Sequence, residues 1–318
     1  MRRLIAAAIL VTVFPAFSVA EPVKVFLMIG ASNMHGVADA SGLSSPWDSP
    51  QDDVWIWQND LGDNVGWTSL RPGFGNTDNN FGSGGNHLNP NPNRPDVDRF
   101  GPELSFGRSI ADAFPDSQIA ILKHADGGRD LETHFNPSNT GPAGRENMWA
   151  GLVEKTNQAF QRLEDQGLEF SVAGMVMYQG ARDARNLTGV EIDNYAENLP
   201  FFIQSVRDQF NEPNLPFVMT HLPTFMDPVV YPGRDEIRAV QAAVAESDPF
   251  IALTAIDDLE RREDGVHFDH VDMLEIGRRY ATTYSELTAV PEPSSCLLAV
   301  MSLMTLGHLR KPRGSSAR

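Results

Sequence analysis

Five short apolar runs, residues 25–29, 118–123, 172–178, 217–221 and 251–255, read as buried strands. Between them lie stretches with helical spacing. In 101–114 the apolar positions Leu104, Ile110, Ala111 and Phe114 recur at that spacing. Trp149, Leu152, Val153, Thr156, Phe160 and Leu163 repeat it more cleanly, and 194–210, 235–245 and 271–284 complete the set. Strand and helix in alternation dictate a parallel sheet covered on both faces. Such sheets bind ligands beyond the carboxyl ends of their strands, so the chemistry is sought there.

The first strand runs into "GASN", small and turn-prone. A serine at that point, Ser32, stands where orphan amides of a helix N-terminus stabilise a developing oxyanion. An ordinary helix cap is the competing reading of the same residue. A serine nucleophile requires a base, and His267 alone among the eight histidines has an aspartate three residues before it, in "DGVH". Asp264 would hold one ring nitrogen and leave the other for Ser32. His267 also follows the last strand and opens the last helix, on the rim where Ser32 lies. Two further turns reach that rim. "KHADGGRDL" offers a backbone amide at Gly127-Gly128, and "MVMYQGARDA" offers the side-chain amide of Gln179. No Gly-x-Ser-x-Gly elbow occurs, which disfavours the α/β-hydrolase fold.

The blocks "GASNM", "GPELSFG", "GGRDL", "QGARDA" and "DGVH", followed by "GRRYA", resemble in order those of the SGNH-type hydrolases of the sialate O-acetylesterase group, similar to carbohydrate esterase family 6. The resemblance spans about residues 23–281. It implies a flavodoxin-like three-layer α/β/α fold with about five parallel strands. It further implies Ser32 as nucleophile, His267 as base, Asp264 as its orienter, and the Ser32 amide, Gly128 and Gln179 as oxyanion donors. Neither metal nor organic cofactor belongs to that chemistry. Glu103 in "GPELSFG" is read as structural, at its helix start.

Three positions depart from the family blocks. Ala31 stands for the usual glutamine, Arg129 for threonine and Ala181 for glutamate. Ala31 and Ala181 are expected to face each other, their polar pair lost together. Arg129, Arg182 and Arg185 would give the rim positive character, suited to an anionic sugar, unless they pair internally with Asp130 or Asp183. Asn33, Arg129 and Arg182 are the candidate substrate contacts. The expected activity is release of acetate from acetylated sugars or polysaccharides through an acetyl-enzyme. A surface glycan-binding protein on a degenerate esterase scaffold, using the Trp55/Trp57 region and the long loop of 48–99, is the alternative from another class. An esterase for lipid or aryl esters is the third.

The ends of the chain read as targeting segments. Arg2 and Arg3, an apolar run and Ser18-Val19-Ala20 form an export signal over 1–20. "VPEPSS", a short apolar run and a basic cluster resemble the PEP-CTERM sorting tail over 289–318, with membrane contact only there. The domain between, 21–288, has no cysteine, because Cys296 is the chain's only one. An exported or cell-surface location follows as an expectation. Six of 25 basic residues sit in the terminal segments, leaving 19 against 42 acidic ones in 21–307. Such a body repels nucleic acid and anionic membrane. Residues 48–99 break the strand–helix rhythm and read as a long surface loop with a short strand at 54–57. Its oxygen-rich 76–98 portion matches no EF-hand spacing, and a solvated loop is favoured there over a metal site.

Overall fold

The computed structural model describes residues 21–58, 65–75 and 98–289. The expected leader, the tail from residue 290 on and the 76–97 part of the oxygen-rich loop lie outside the described residues. In chain order the elements are β1 (Val23–Gly30), the one-turn helix α1 (Ser32–His35), β2 (Ala38–Asp39), β3 (Gln51–Gln58), β4 (Gly66–Leu70), β5 (Arg99–Phe100), α2 (Glu103–Ala113), β6 (Ile119–Ala125), α3 (Met148–Asp165), β7 (Phe170–Tyr178), α4 (Glu191–Phe210), β8 (Phe217–Thr220), α5 (Arg234–Ser247), β9 (Ile251–Thr254) and α6 (His270–Thr288). No described helix is long and apolar enough to cross a membrane.

All five expected strands form, and they run β6-β1-β7-β8-β9 across the sheet. In order of sequence that is second, first, third, fourth, fifth, the flavodoxin-like arrangement. The sheet is larger than expected. β3 joins it parallel to β6, and β4 pairs antiparallel with β3 at the edge, giving seven strands. The region read as a loop from 48 to 99 therefore contributes two full strands. Its Trp67–Leu70 segment is short, only partly buried and framed by turn-rich sequence, so it carried no clear signal.

β1 explains why the strands read as unbroken apolar runs. Val25, Leu27 and Ile29 join the core under α3, α4 and α5, while Phe26 and Met28 point into the core under α2 and α6. Successive side chains alternate faces, and here both faces are covered. Each of these five side chains is fully buried, which stabilises the fold by about 1.5–3 kcal/mol per large apolar residue. The three layers are helix, sheet, helix. β1 lies between β6 and β7, where successive crossovers leave in opposite directions. That switch point opens a crevice at the strands' carboxyl ends.

Candidate active site

β1 delivers Ser32 to that crevice through a backbone approach open only to glycine. Gly30 has φ of 154°, and a Cβ there would sit 2.2 Å from the Tyr178 carbonyl oxygen at the end of β7. Ala31 N–H then donates to the same Tyr178 oxygen at 3.1 Å, and α1 begins at Ser32. The far end of α1 is anchored from below. Lys123 Nζ, fully buried, donates to the His35 carbonyl and lies 2.9 Å from an equally buried Glu103 carboxylate, which also accepts Gly101 N–H. Burial pulls the Lys123 pKa down, and the Glu103 charge opposes it. Glu103 is thus structural, as expected, and it sits beneath the turn that carries Ser32.

His267 comes from the loop between β9 and α6. Asp264 Oδ1 accepts the amides of Val266 and His267 at 3.0 and 2.9 Å, folding residues 264–267 into a tight turn. The same carboxylate's Oδ2 takes His267 Nδ1 at 2.8 Å. Burial pushes the Asp264 carboxyl up, but these amide and ring hydrogen bonds outweigh it and hold its pKa below the ordinary value. An ionised carboxylate only accepts, so Nδ1 carries the proton and Nε2 keeps its lone pair. Nε2 lies 2.8 Å from Ser32 Oγ and accepts the hydroxyl proton. Ser32, His267 and Asp264, 235 residues apart at the extremes, form one continuous relay.

Asn33 is placed differently from expectation. Its Nδ2 donates to the Val266 carbonyl at 3.0 Å, tying the turn of Ser32 to that of His267, and the side chain is buried. It positions the two halves and does not face the cavity.

A cavity of about 250 Å³ opens onto Ser32 and His267, walled by Ala31, Gly128, Ala181, Arg182, Arg185, Tyr231 and Val266. Ala31 and Ala181 do share this wall, so the two positions where the chain lacks long polar side chains border the same space. Gly128, with φ of 70°, turns its backbone toward it, and a Cβ on the neighbouring Gly127 would stand 3.7 Å from Ser32 Cβ. The Ser32 amide opens a helix, where first-turn N–H groups lack intrahelical acceptors. It and the Gly128 amide donate to no other described residue.

Gln179 requires a correction. Its Nε2 donates to the Arg129 carbonyl at 2.7 Å and to Asp183 Oδ2 at 3.3 Å, so both amide protons are engaged and the side chain is buried. It is not an oxyanion donor here. It braces the loop that carries Gly128, while Asp183 Oδ1 braces the same loop by accepting Leu131 N–H at 2.9 Å. Burial pushes the Asp183 carboxyl up, the Leu131 amide opposes this, and nearby Asp130 reinforces it; the pKa reaches about 8.

Arg129 also departs from the expected role. Its Nε donates to Asp126 at 2.7 Å and its Nη1 to His134 Nε2 at 2.9 Å, turning the guanidinium away from the cavity wall. His134 Nδ1 in turn meets Asp130 Oδ1 at 2.9 Å, making a second Asp–His pair. Arg182 keeps its place on the wall, with its Nε 3.6 Å from Asp130 Oδ2. Arg185 stands beside it, and Tyr231 arrives from the β8–α5 connection without any sequence signal. Among the described residues, no group of three or more His, Cys, Asp or Glu side chains is disposed to hold a metal.

A relay of hydroxyl, imidazole and carboxylate facing free backbone amides is the arrangement of an acyl-transferring hydrolase. Residues 22–286 match the family described as carbohydrate esterase, sialic acid-specific acetylesterase. No curated protein matches the sequence. Solved structures sharing the fold include a protein from Arabidopsis thaliana, 16% identical with a TM-score of 0.61 over 84% of this chain and 99% of that one. NanS is 11% identical with a TM-score of 0.59, over 84% and 98%. A carbohydrate acetylesterase from Xanthomonas citri is 16% identical with a TM-score of 0.56, and this chain spans only 56% of its length. At these identities the likeness speaks for the fold, and the match across 22–286 speaks for descent: the chain belongs to the sialic acid-specific acetylesterase family of carbohydrate esterases, and is an ester-hydrolysing enzyme.

Proposed function

We propose that the protein is a serine-dependent carbohydrate O-acetylesterase working through an acetyl-enzyme. The observation that carries this reading is the Ser32–His267–Asp264 relay, closed at 2.8 Å on both sides and opening onto the cavity. Ser32 Oγ attacks the acetyl carbonyl while its proton passes to His267 Nε2. The tetrahedral oxyanion is held by the Ser32 and Gly128 amides. Collapse expels the sugar oxygen, which takes the proton from His267, and leaves the acetyl group on Ser32. Water then gives its proton to His267 and attacks the acetyl carbon, and acetate departs with Ser32 Oγ reprotonated. Asp264 holds the tautomer and offsets the imidazolium charge throughout.

Family membership supports an acetylated carbohydrate as substrate. The basic, apolar and small-residue start of the sequence supports export, and the "VPEPSS" tail supports residence at the cell surface. Acetate release from a panel of acetylated polysaccharides, with Ser32→Ala alongside, tests the reading. Equal release by both proteins would refute it.

A further inference from the structure

Helix α3 ends between two aromatic grooves at the pole of the sheet opposite Ser32. In the β3–β4 hairpin Trp55 lies opposite Ser69 and Trp57 opposite Trp67, so all four side chains share the face that meets α3. Trp57 is buried there, and its ring meets that of Trp67 edge-on at 5.3 Å. The Trp67 indole N–H donates to the Ala159 carbonyl of α3 at 3.0 Å, which fixes the ring. Trp55 and Trp67 stay partly exposed and, with Thr68, Ser69 and Gln166, line a groove of about 340 Å³. On the other flank of α3, Phe160, Phe170 and Phe210 border a second groove of about 290 Å³, edged by Asn157, Gln209 and Glu212. The Phe160 and Phe170 rings lie 4.7 Å apart.

Register places both grooves at the amino ends of the strands. Trp55 is level with Ala120 near the start of β6, and Phe170 with Val23 at the start of β1. The catalytic rim lies at the other end of β1, roughly 20–25 Å away at the usual rise per strand residue. A sugar residue bound here is therefore not the one reacting at Ser32.

The lining selects a ligand class. Partly exposed indole and phenyl rings suit the C–H surface of a sugar ring, while amide and hydroxyl side chains beside them match ring hydroxyls in both donor and acceptor sense. An apolar peptide or acyl chain would strip water from Gln166, Asn157 and Gln209 without replacing their hydrogen bonds. Neither groove is lined by Lys or Arg, which disfavours an anionic ligand. We propose that the face astride the C-terminal half of α3 is a second carbohydrate-binding site, which takes a neutral stretch of polysaccharide with Trp55 and Trp67 as its platform. The inference rests on the carbohydrate reading of the catalytic site. Its benefit is one of effective concentration, because a chain held there keeps its acetyl groups near the cavity.

Native electrophoresis in gels containing deacetylated glucomannan or mixed-linkage glucan tests the proposal without any turnover. Wild type and Ser32→Ala are expected to be retarded alike, with Trp55→Ala binding at least fivefold more weakly. Gln166→Ala, on the exposed helix end, carries the test independently of folding and is expected to weaken binding two- to threefold. Hydrolysis of p-nitrophenyl acetate by Trp55→Ala should stay within twofold of wild type, while kcat/KM on acetylated glucomannan falls severalfold. Equal retardation of wild type and both variants would overturn the proposal. So would absence of retardation by either polymer, or a Trp55-dependent self-association seen by sedimentation. Loss of the catalytic reading would show separately, as p-nitrophenyl acetate hydrolysis indifferent to Ser32→Ala.

Discussion

Two Asp–His pairs sit on the same rim of this molecule, built alike and put to opposite ends. In each, an aspartate accepts backbone amides from its own turn and the Nδ1 of a histidine three or four residues on, at 2.8 Å for Asp264–His267 and 2.9 Å for Asp130–His134. Both carboxyls are pushed up by burial and pulled further down by those hydrogen bonds. The difference lies at the far nitrogen. His267 Nε2 meets the Ser32 hydroxyl, a group with a proton to give up in reaction. His134 Nε2 meets the Arg129 guanidinium, which only donates and is never deprotonated in a protein. Exposure follows the same division, with the His267 side chain 25% exposed and that of His134 8%. An Asp–His pair is therefore a mount for an imidazole; in the proposed mechanism, what faces the second nitrogen decides between catalysis and architecture.

The largest expected effect separates the two directly. Ser32→Ala or His267→Ala should lower kcat/KM on p-nitrophenyl acetate by at least about 10³-fold, with the melting temperature little changed. His134→Ala should do the reverse. It leaves the Asp130 carboxylate, 4% exposed, without its ring partner. The expected cost is about 2–3 kcal/mol of stability, with activity reduced by less than tenfold. Chemical denaturation and steady-state kinetics on the same preparations would expose a reversal of these roles.

Asp264→Asn comes next. Its carboxylate is 46% exposed, so water screens much of the charge it lends to the imidazolium. A loss of about 10²-fold in kcat is expected, smaller than for Ser32, because what is mainly removed is the tautomer and the turn. A loss as large as that of Ser32→Ala would mean the charge matters more than its exposure implies.

The smallest effect is a pH slope. Asp264 and Asp130, with lowered folded pKa values, add stability that is complete above the unfolded carboxyl value of about 4 and is lost as pH falls through the folded values. Asp183 is of opposite sign. Its pKa of about 8 exceeds the unfolded value, so its contribution is full below about pH 4 and disappears as pH rises toward 8. Asp183→Asn should flatten the decline in stability between pH 6 and 8, read from denaturant midpoints. An unaltered slope would contradict the assignment.

The contrast also marks where the sequence was readable. The unbroken apolar run of β1 and the helical spacing of α3 are local, and such patterns place five strands and five helices in the right order. Ser32 and the Asp264–His267 turn were equally readable, because the turn's hydrogen bonds are made within four residues. Gln179 was misassigned because its direction depends on the Arg129 carbonyl, 50 residues away, which nothing nearby encodes. Arg129 turned to Asp126 and His134 for the same reason, since an arginine beside several acids has no locally determined partner. β4 escaped because its pairing with β3 is set across a stretch rich in Asn and Gly rather than by its own five residues.

The central claim is that hydrolysis runs through Ser32 and not through any other nucleophile on the rim. Acetate released from an acetylated polysaccharide by wild type, Ser32→Ala and His134→Ala at matched folded concentration measures it directly. Release by Ser32→Ala below about a thousandth of wild type, with His134→Ala within tenfold, is the predicted result. Release by Ser32→Ala within tenfold of wild type would contradict it.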